Sequence, residues 1–110
     1  MEFLVEFEVN IPVGTPDSEV VDRESAEASA AAQLVDEGHL VRLWNRPRPG
    51  GSGESTILGL YRAESKAQLD GLLAALPLYE WMHVTVTPLE PHPNDPAARA
   101  TVSPADRSQP

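Results

Sequence analysis

Cysteine is absent from the sequence, so a disulfide framework, a thiol nucleophile and a thiolate metal site are all excluded. Cations are scarce: 8 lysines and arginines face 17 aspartates and glutamates, giving a formal net charge of −9. That balance argues against nucleic acid or an anionic membrane as a partner. The chain has no apolar run of membrane-spanning length and no signal-like start, and we therefore expect a cytoplasmic protein.

Aromatic residues are also few, at 5%, but apolar residues reach 41% of the 110 residues, which suits one small globular domain.

The first stretch alternates between apolar and mostly acidic residues. Residues 2–9 place Phe3, Val5, Phe7 and Val9 on one face and three glutamates with Leu4 on the other. This period of two predicts a half-buried β-strand.

The stretch from Asp17 to Glu37 predicts a helix, which Gly38 ends. Glu24 and Glu27 fall inside its apolar stripe, whereas Arg23 falls mostly outside it. A carboxyl facing a core has a raised pKa, as proton transfer near neutral pH requires. The alternative is that both glutamates lie at the margin of the stripe and reach water. The expected stripe consists of Val20, Ala28, Ala31, Leu34 and Val35.

Residues 39–44 predict a second strand, with Leu40, Arg42 and Trp44 on one side. Residues 45–53 are rich in proline and glycine and predict an irregular loop. This loop carries Arg46 and Arg48, which either lie in a solvated turn or receive an anionic ligand. Residues 55–62 predict a third strand, in which Gly59 indicates a close backbone approach or a bulge.

Ser65 and Gln68 form a capping box before a leucine-rich amphipathic helix that ends at Pro77. Residues 83–89 predict a fourth strand. The resulting βαββαβ order predicts an α+β, ferredoxin-like domain with a four-stranded antiparallel sheet. Two helices cover only one face of such a sheet, so we expect the other face to contact a partner subunit. We assign residues 1–95 to the domain and 96–110 to a Pro/Ala/Ser-rich tail, disordered from about Ala100.

No nucleotide-binding, hydrolase or zinc-protease motif occurs. His39 and His83 each begin a strand, but histidines at such places are more often solvated than metal-bound. Trp44 is most simply a core or subunit-contact residue, and the alternative is that it forms a wall of a ligand pocket. Tyr61 either makes a structural hydrogen bond or binds a ligand through its hydroxyl.

Several motifs in constant order resemble the muconolactone Δ-isomerases over residues 1–95. They include the end of the first strand at Val9-Asn10-Ile11-Pro12, the helix closing at Leu34-x-x-x-Gly38, and Leu43-Trp44. The most specific run is Leu73-x-Ala75-Leu76-Pro77-Leu78-Tyr79-x-Trp81-Met82-x-Val84-x-Val86-Thr87, followed by His92-Pro93.

The resemblance implies a ring-shaped homodecamer built from dimers and a cofactor-free reaction of aromatic catabolism. That reaction converts muconolactone to 3-oxoadipate enol-lactone. The match places the family's proton-carrying glutamate at Glu27, in agreement with the stripe argument. On this basis we expect Arg42 to bind the substrate carboxylate, and Trp44, Phe7 and Tyr61 to contribute to the substrate site. No metal or other cofactor is expected.

Two departures from the family pattern bear on the substrate. Ala26 and Ala28 flank Glu27 where relatives commonly carry basic residues, and Val41 and Asn45 flank the Leu43-Trp44 region where further cations are usual. A related lactone is therefore an alternative substrate, including one that loses halide after the same deprotonation. The competing class is a non-catalytic protein of the same fold that binds a small ligand or serves as an assembly subunit.

Overall fold

The computed structural model describes residues 1–47 and 55–99. Four strands form one antiparallel sheet in the order β2-β3-β1-β4, which confirms the predicted ferredoxin-like fold. In chain order the elements are β1 (Glu2–Val9), α1 (Asp17–Asp36), β2 (Leu40–Pro47), β3 (Ser55–Arg62), α2 (Lys66–Ala74), a 3₁₀ helix (Tyr79–Trp81), β4 (Met82–Leu89) and α3 (Pro96–Arg99).

The core lies between the sheet and the two long helices. Strand β1 runs through the middle, and its alternation buries Phe3, Val5 and Phe7 as predicted. Leu69 and Leu73 of α2 and Leu34 of α1 pack against this row. Apolar burial of this kind is the main source of stability for a domain this small.

Helix α1 matches its predicted bounds within one residue, but its packed side differs from the predicted stripe. Ala28 and Val35 are exposed, so their assignment to the core was wrong. The side that faces the rest of the protein instead follows a spacing of three and four residues, as one face of a helix requires. It consists of the buried or partly buried residues Val20, Arg23, Glu27, Ala30, Ala31 and Leu34.

Strand β2 contains a β-bulge at Val41, which corrects the predicted sidedness. Leu40 pairs with Tyr61 and Arg42 pairs with its neighbour Leu60, so Val41 is an extra residue. Leu40 and Leu43 consequently face the helices, whereas Arg42 lies on the opposite side. The predicted start of the loop at Asn45 was also wrong, because residues 45–47 continue the strand and pair with residues 55–57 of β3. The rest of the predicted loop, residues 48–53, lies outside the described residues.

Helix α2 begins as its capping box predicts. The Ser65 side chain accepts a hydrogen bond from Gln68 N at 3.1 Å, and Gln68 Oε1 accepts one from Glu64 N at 2.7 Å. After α2 the chain turns through Pro77 and Leu78 into the 3₁₀ helix. Trp81 is buried there, and its carbonyl accepts a hydrogen bond from Asn10 N at 2.7 Å, which ties this turn to the end of β1.

The sheet face opposite α1 and α2, called the open face below, presents a mixed surface. The residues that the strand register places there include Leu4, Glu6, Arg42, Trp44, Arg46, Leu58, Leu60, Thr85 and Thr87. Both edge strands contain a proline near their end, Pro47 in β2 and Pro88 in β4. The expected disorder from Ala100 onward lies outside the described residues, and α3 occupies the first positions of the predicted tail. Within residues 1–47 and 55–99, no helix has the length and apolarity needed to cross a membrane.

Candidate active site

A cavity of about 270 Å³ lies between α1 and the helix-facing side of the sheet. That size is slightly below the ~300–1,000 Å³ of typical pockets for drug-sized ligands, so it suits a small organic molecule. Its walls are mostly apolar. They are formed by Phe7, Val9, Glu24, Glu27, Ala28, Ala31, Leu40, Leu43, Ile57, Tyr61, Leu76, Leu78 and Met82.

Glu27 contributes the half-buried carboxyl of this cavity. It lies on the packed side of α1, and its Oε1 accepts a hydrogen bond from Leu78 N at 3.0 Å. Burial raises the pKa of Glu27 above its ordinary value of 4.5, although the Leu78 N–H opposes this by stabilising the carboxylate. A carboxyl with a raised pKa that faces an apolar cavity is suited to accept and return a proton near neutral pH.

Glu24 also lines the cavity but is exposed, so it lies at the mouth rather than against the inner wall. Of the two glutamates that the helical pattern singled out, the structure half-buries Glu27 and leaves Glu24 in solvent. The alternative in which both glutamates reach water describes Glu24, whereas the Glu27 carboxyl is half-buried.

Tyr61 forms the wall of the cavity on the sheet side. It is only 3% exposed, and its ring lies 6.1 Å from that of Phe7 at an interplanar angle of 59°. Burial, and then the charge of Glu27, raises the pKa of Tyr61 to about 12. The phenol is accordingly protonated at neutral pH. Among the hydrogen bonds of residues 1–47 and 55–99, none involves its hydroxyl, which leaves that donor for a ligand.

Gly59 allows the Tyr61 ring to occupy this position. A Cβ at residue 59 would lie 2.5 Å from Tyr61 Cε1 and 3.2 Å from Cδ1, much closer than carbon atoms tolerate. The close approach expected at Gly59 is thus made by the ring two residues further along the same strand face. The bulge lies on the neighbouring strand β2 instead.

Arg42 and Trp44 do not reach this cavity. Both lie on the open face, where the Arg42 guanidinium is 5.1 Å from the centre of the Trp44 ring. Arg46 also lies in β2 and forms an ion pair with Glu6 at 3.6 Å, on that same face. Arg48 lies outside the described residues. Of the predicted substrate-binding residues, the fold brings Phe7 and Tyr61 to Glu27 and separates Arg42 and Trp44 from it.

Two contacts of the turn beside the cavity were not found from the sequence. One is the Leu78 N–H that binds Glu27, a backbone group that no residue pattern identifies. The other is Arg23, which the helical pattern placed outside the packed side but which bonds to Pro77 O at 3.2 Å. The position of Leu78 directly after Pro77, which follows the second helix, is the one local signal that its N–H lacks a helical partner.

The described residues, 1–47 and 55–99, contain no group of histidines and carboxylates arranged to hold a metal ion. His39 directly precedes β2 and His83 lies in β4, at opposite edges of the sheet, so they cannot share a ligand. His39 instead places its Nδ1 2.8 Å from Arg62 O, which gives it a structural role at the start of β2.

Comparisons with known proteins agree with this geometry. The family model for muconolactone delta-isomerase matches residues 1–95. Muconolactone Delta-isomerase 1 of Acinetobacter lwoffii is 36% identical over 95 residues, covering 86% of this chain and 93% of the relative. The muconolactone Delta-isomerase of Cupriavidus pinatubonensis is 33% identical over 94 residues, covering 86% and 97%. A crystal structure of muconolactone isomerase superposes with a TM-score of 0.74 at 27% identity, covering 87% of this chain and 95% of that one. The chain therefore belongs to the muconolactone delta-isomerase family.

Proposed function

We propose that the protein isomerises muconolactone or a closely related butenolide, with Glu27 as the group that moves the proton. The observation that carries the proposal is the half-buried Glu27 carboxyl, which faces an apolar cavity of about 270 Å³ and has a raised pKa. The relatives named above are muconolactone delta-isomerases, which supports this substrate class. We place the reaction in the cytoplasmic catabolism of aromatic compounds.

The proposed reaction is a proton transfer within one ring. The Glu27 carboxylate removes the hydrogen from the ring carbon that carries the side chain, and the electron pair delocalises through the double bond to the lactone carbonyl. The protonated Glu27 then returns the proton to the ring carbon beside the carbonyl, so the double bond has shifted and no atom is gained or lost. One carboxyl thus serves first as base and then as acid, and no cofactor is consumed.

Tyr61 is the proposed donor to the carbonyl oxygen as it gains negative charge. Its hydroxyl is protonated at neutral pH, faces the same cavity as Glu27 and is held by a buried ring. A donor fixed in advance stabilises a developing oxyanion without reorganising during the reaction. Phe7 packs beside Tyr61 and would help to keep water from the intermediate.

The substrate carboxylate and the oligomer are linked in this proposal. Arg42 and Trp44 lie on the open face, so they can serve a substrate only across a contact between subunits. Partly buried Leu4, Leu58 and Leu60 give that face the apolar area that a subunit contact needs. We propose a homo-oligomer that uses this face, with the decamer built from dimers as its specific form.

Turnover of muconolactone in D₂O, followed by proton NMR, tests the function. We expect the signals of 3-oxoadipate enol-lactone to appear, with deuterium at the reprotonated ring carbon in the fraction of turnovers in which the Glu27 carboxyl exchanges its proton with solvent before returning it. Glu27→Gln should reduce kcat by about 10²–10⁴-fold, the usual contribution of a general acid–base group. Glu24→Gln is the matched control, because it removes one carboxylate of the same helix from the cavity mouth, and it should retain kcat.

The outcomes separate the competing classes. If neither muconolactone nor an uncharged butenolide undergoes turnover or deuterium exchange, the non-catalytic binding protein is the better description. Chloride release from a chlorinated lactone without isomerisation of muconolactone would assign the dehalogenating variant. Loss of activity in Glu24→Gln with retention in Glu27→Gln would move the base to Glu24.

A further inference from the structure

We infer that Arg23 is a positioning residue for Glu27, acting through the peptide group between Pro77 and Leu78. Arg23 donates to the carbonyl of that group, Pro77 O, at 3.2 Å. Glu27 accepts from its N–H, Leu78 N, at 3.0 Å. The role in catalysis depends on the function proposed above, whereas the effect on the Glu27 carboxyl itself does not.

The two side chains hold opposite ends of one rigid unit. A peptide group is planar, so fixing the direction of its carbonyl also fixes the direction of its N–H. Arg23 and Glu27 are four residues apart on α1 and therefore project from neighbouring turns of the same helix face. The helix thus holds this peptide group at both ends, and the N–H cannot rotate away from the carboxylate while Arg23 stays in place.

Arg23 is itself well fixed. Its guanidinium lies 4.4 Å from the centre of the buried Trp81 ring, and its side chain is only 29% exposed. It forms ion pairs with Glu80 and, at 3.5 Å, with Glu19. Trp81 is anchored in turn through its carbonyl to Asn10 N. Arg23 therefore connects α1 to the whole turn from Pro77 to Trp81.

Arg23 acts on Glu27 through hydrogen bonding rather than by direct ion pairing. Its ion pairs among the described residues are with Glu19 and Glu80, and none is with Glu27. The groups that face Glu27 are Tyr61 from β3, Glu24 from α1 and the Leu78 N–H. The Leu78 N–H is the group among these that stabilises the carboxylate, and Arg23 holds it in position.

Arg23→Met tests this inference, because methionine keeps the apolar stem beside Trp81 and removes the donor. We expect the pKa of Glu27 to rise, since its carboxylate loses a fixed N–H, and kcat to fall about tenfold as the carboxyl loses its orientation. The pKa is read from carboxyl-labelled glutamate by carbon NMR, and the acid limb of the kcat profile should move to higher pH with it.

Lys66→Met is the matched control, because it also removes one cation from an i,i+4 ion pair, with Asp70 at 3.0 Å, away from Glu27. It should leave the Glu27 pKa and kcat unchanged, which excludes a general effect of net charge. Arg23→Lys keeps a donor and a cation, so its Glu27 pKa and its kcat should lie between those of wild type and Arg23→Met. If Arg23→Met does not fold, Arg23→Lys serves as the test variant.

An unchanged Glu27 pKa in the Arg23 variant would overturn the inference, even if activity or stability falls. An equal pKa change in Lys66→Met would also overturn it. If wild-type protein shows no turnover, the proposed function fails, but the NMR titration still decides whether Arg23 controls the environment of the Glu27 carboxyl.

Discussion

Gly59→Ala offers a sharp test of how the cavity is built. The added Cβ would lie 2.5 Å from Tyr61 Cε1, 3.2 Å from Tyr61 Cδ1 and 3.3 Å from Leu43 Cδ1. Carbon atoms in contact prefer about 3.5–4.0 Å, so the ring edge must retreat by roughly 1 Å. The Tyr61 hydroxyl moves with its ring, so its position relative to Glu27 changes.

Two opposing effects set the change in stability. Overpacking a filled core costs about 1–3 kcal/mol, whereas replacing glycine by alanine within a strand recovers about 0.5–1 kcal/mol. We therefore expect a net loss of about 1–2 kcal/mol in the free energy of unfolding, with Tm falling by roughly 4–8 °C for each kcal/mol. Because misplacing a catalytic group by about 1 Å can cost on the order of 10²-fold, kcat should fall by about 10- to 100-fold.

The assay combines thermal unfolding with steady-state kinetics on the isomerised lactone. Gly71→Ala is the matched control, because a Cβ there meets nothing within 4 Å. In helix α2 that change should stabilise by about 0.5–1 kcal/mol and leave kcat unchanged. Tyr61→Phe should lower kcat as well, and adding Gly59→Ala to it should cost little further activity. Full activity and an undiminished Tm in Gly59→Ala would refute the argument that Gly59 positions the Tyr61 ring.

Three further predictions concern the charges around the cavity. The folded-state pKa of Glu27 is raised above its ordinary value of 4.5, so its ionisation destabilises the fold. The contribution of the protonated Glu27 carboxyl to the free energy of unfolding is fully present below pH 4.5 and is lost as pH rises through the folded-state pKa. In denaturant unfolding, the stability of Glu27→Gln relative to wild type should therefore increase from pH 4 to pH 8. A constant difference would contradict this. Spectrophotometric titration should give Tyr61 a pKa of about 12, and a lower pKa in Glu27→Gln because the neighbouring charge is gone. An unchanged Tyr61 pKa in that variant would mean that the two groups are not coupled. Glu24→Gln should lower KM for an anionic lactone by about two- to fivefold, in line with an exposed charge, and leave KM for a neutral butenolide unchanged; equal effects on both would exclude charge repulsion at the mouth.

Local sequence signals predicted most of the fold, because they act over a few residues. The alternation of β1, the capping box of Ser65 and Gln68 and the βαββαβ order each appear in the structure as expected. The bulge at Val41 does not follow from a local signal, since it depends on how β2 pairs with β3. Without it, regular alternation assigned Arg42 and Leu40 to the same side, and the structure separates them.

The candidate site was predictable only in part. Helical periodicity identified Glu24 and Glu27 together but could not separate them, because the depth of burial depends on which element packs against the helix. The turn at Leu78 provides that information by donating its N–H to Glu27 alone. Arg23 was assigned to the outer side for the same reason, since the Trp81 ring that receives it is distant in sequence. Substrate binding by Arg42 and Trp44 stays a prediction, which now requires a contact between subunits.

The prolines near the ends of both edge strands bear on how the protein associates. Pro47 and Pro88 lack the N–H that an incoming strand would need at these positions. Lateral addition of further chains, the route by which exposed strands seed fibrils, is therefore disfavoured at each border. In the homo-oligomer proposed above, an isologous contact through the open face would close on itself as a pair, whereas addition at the strand borders has no such limit.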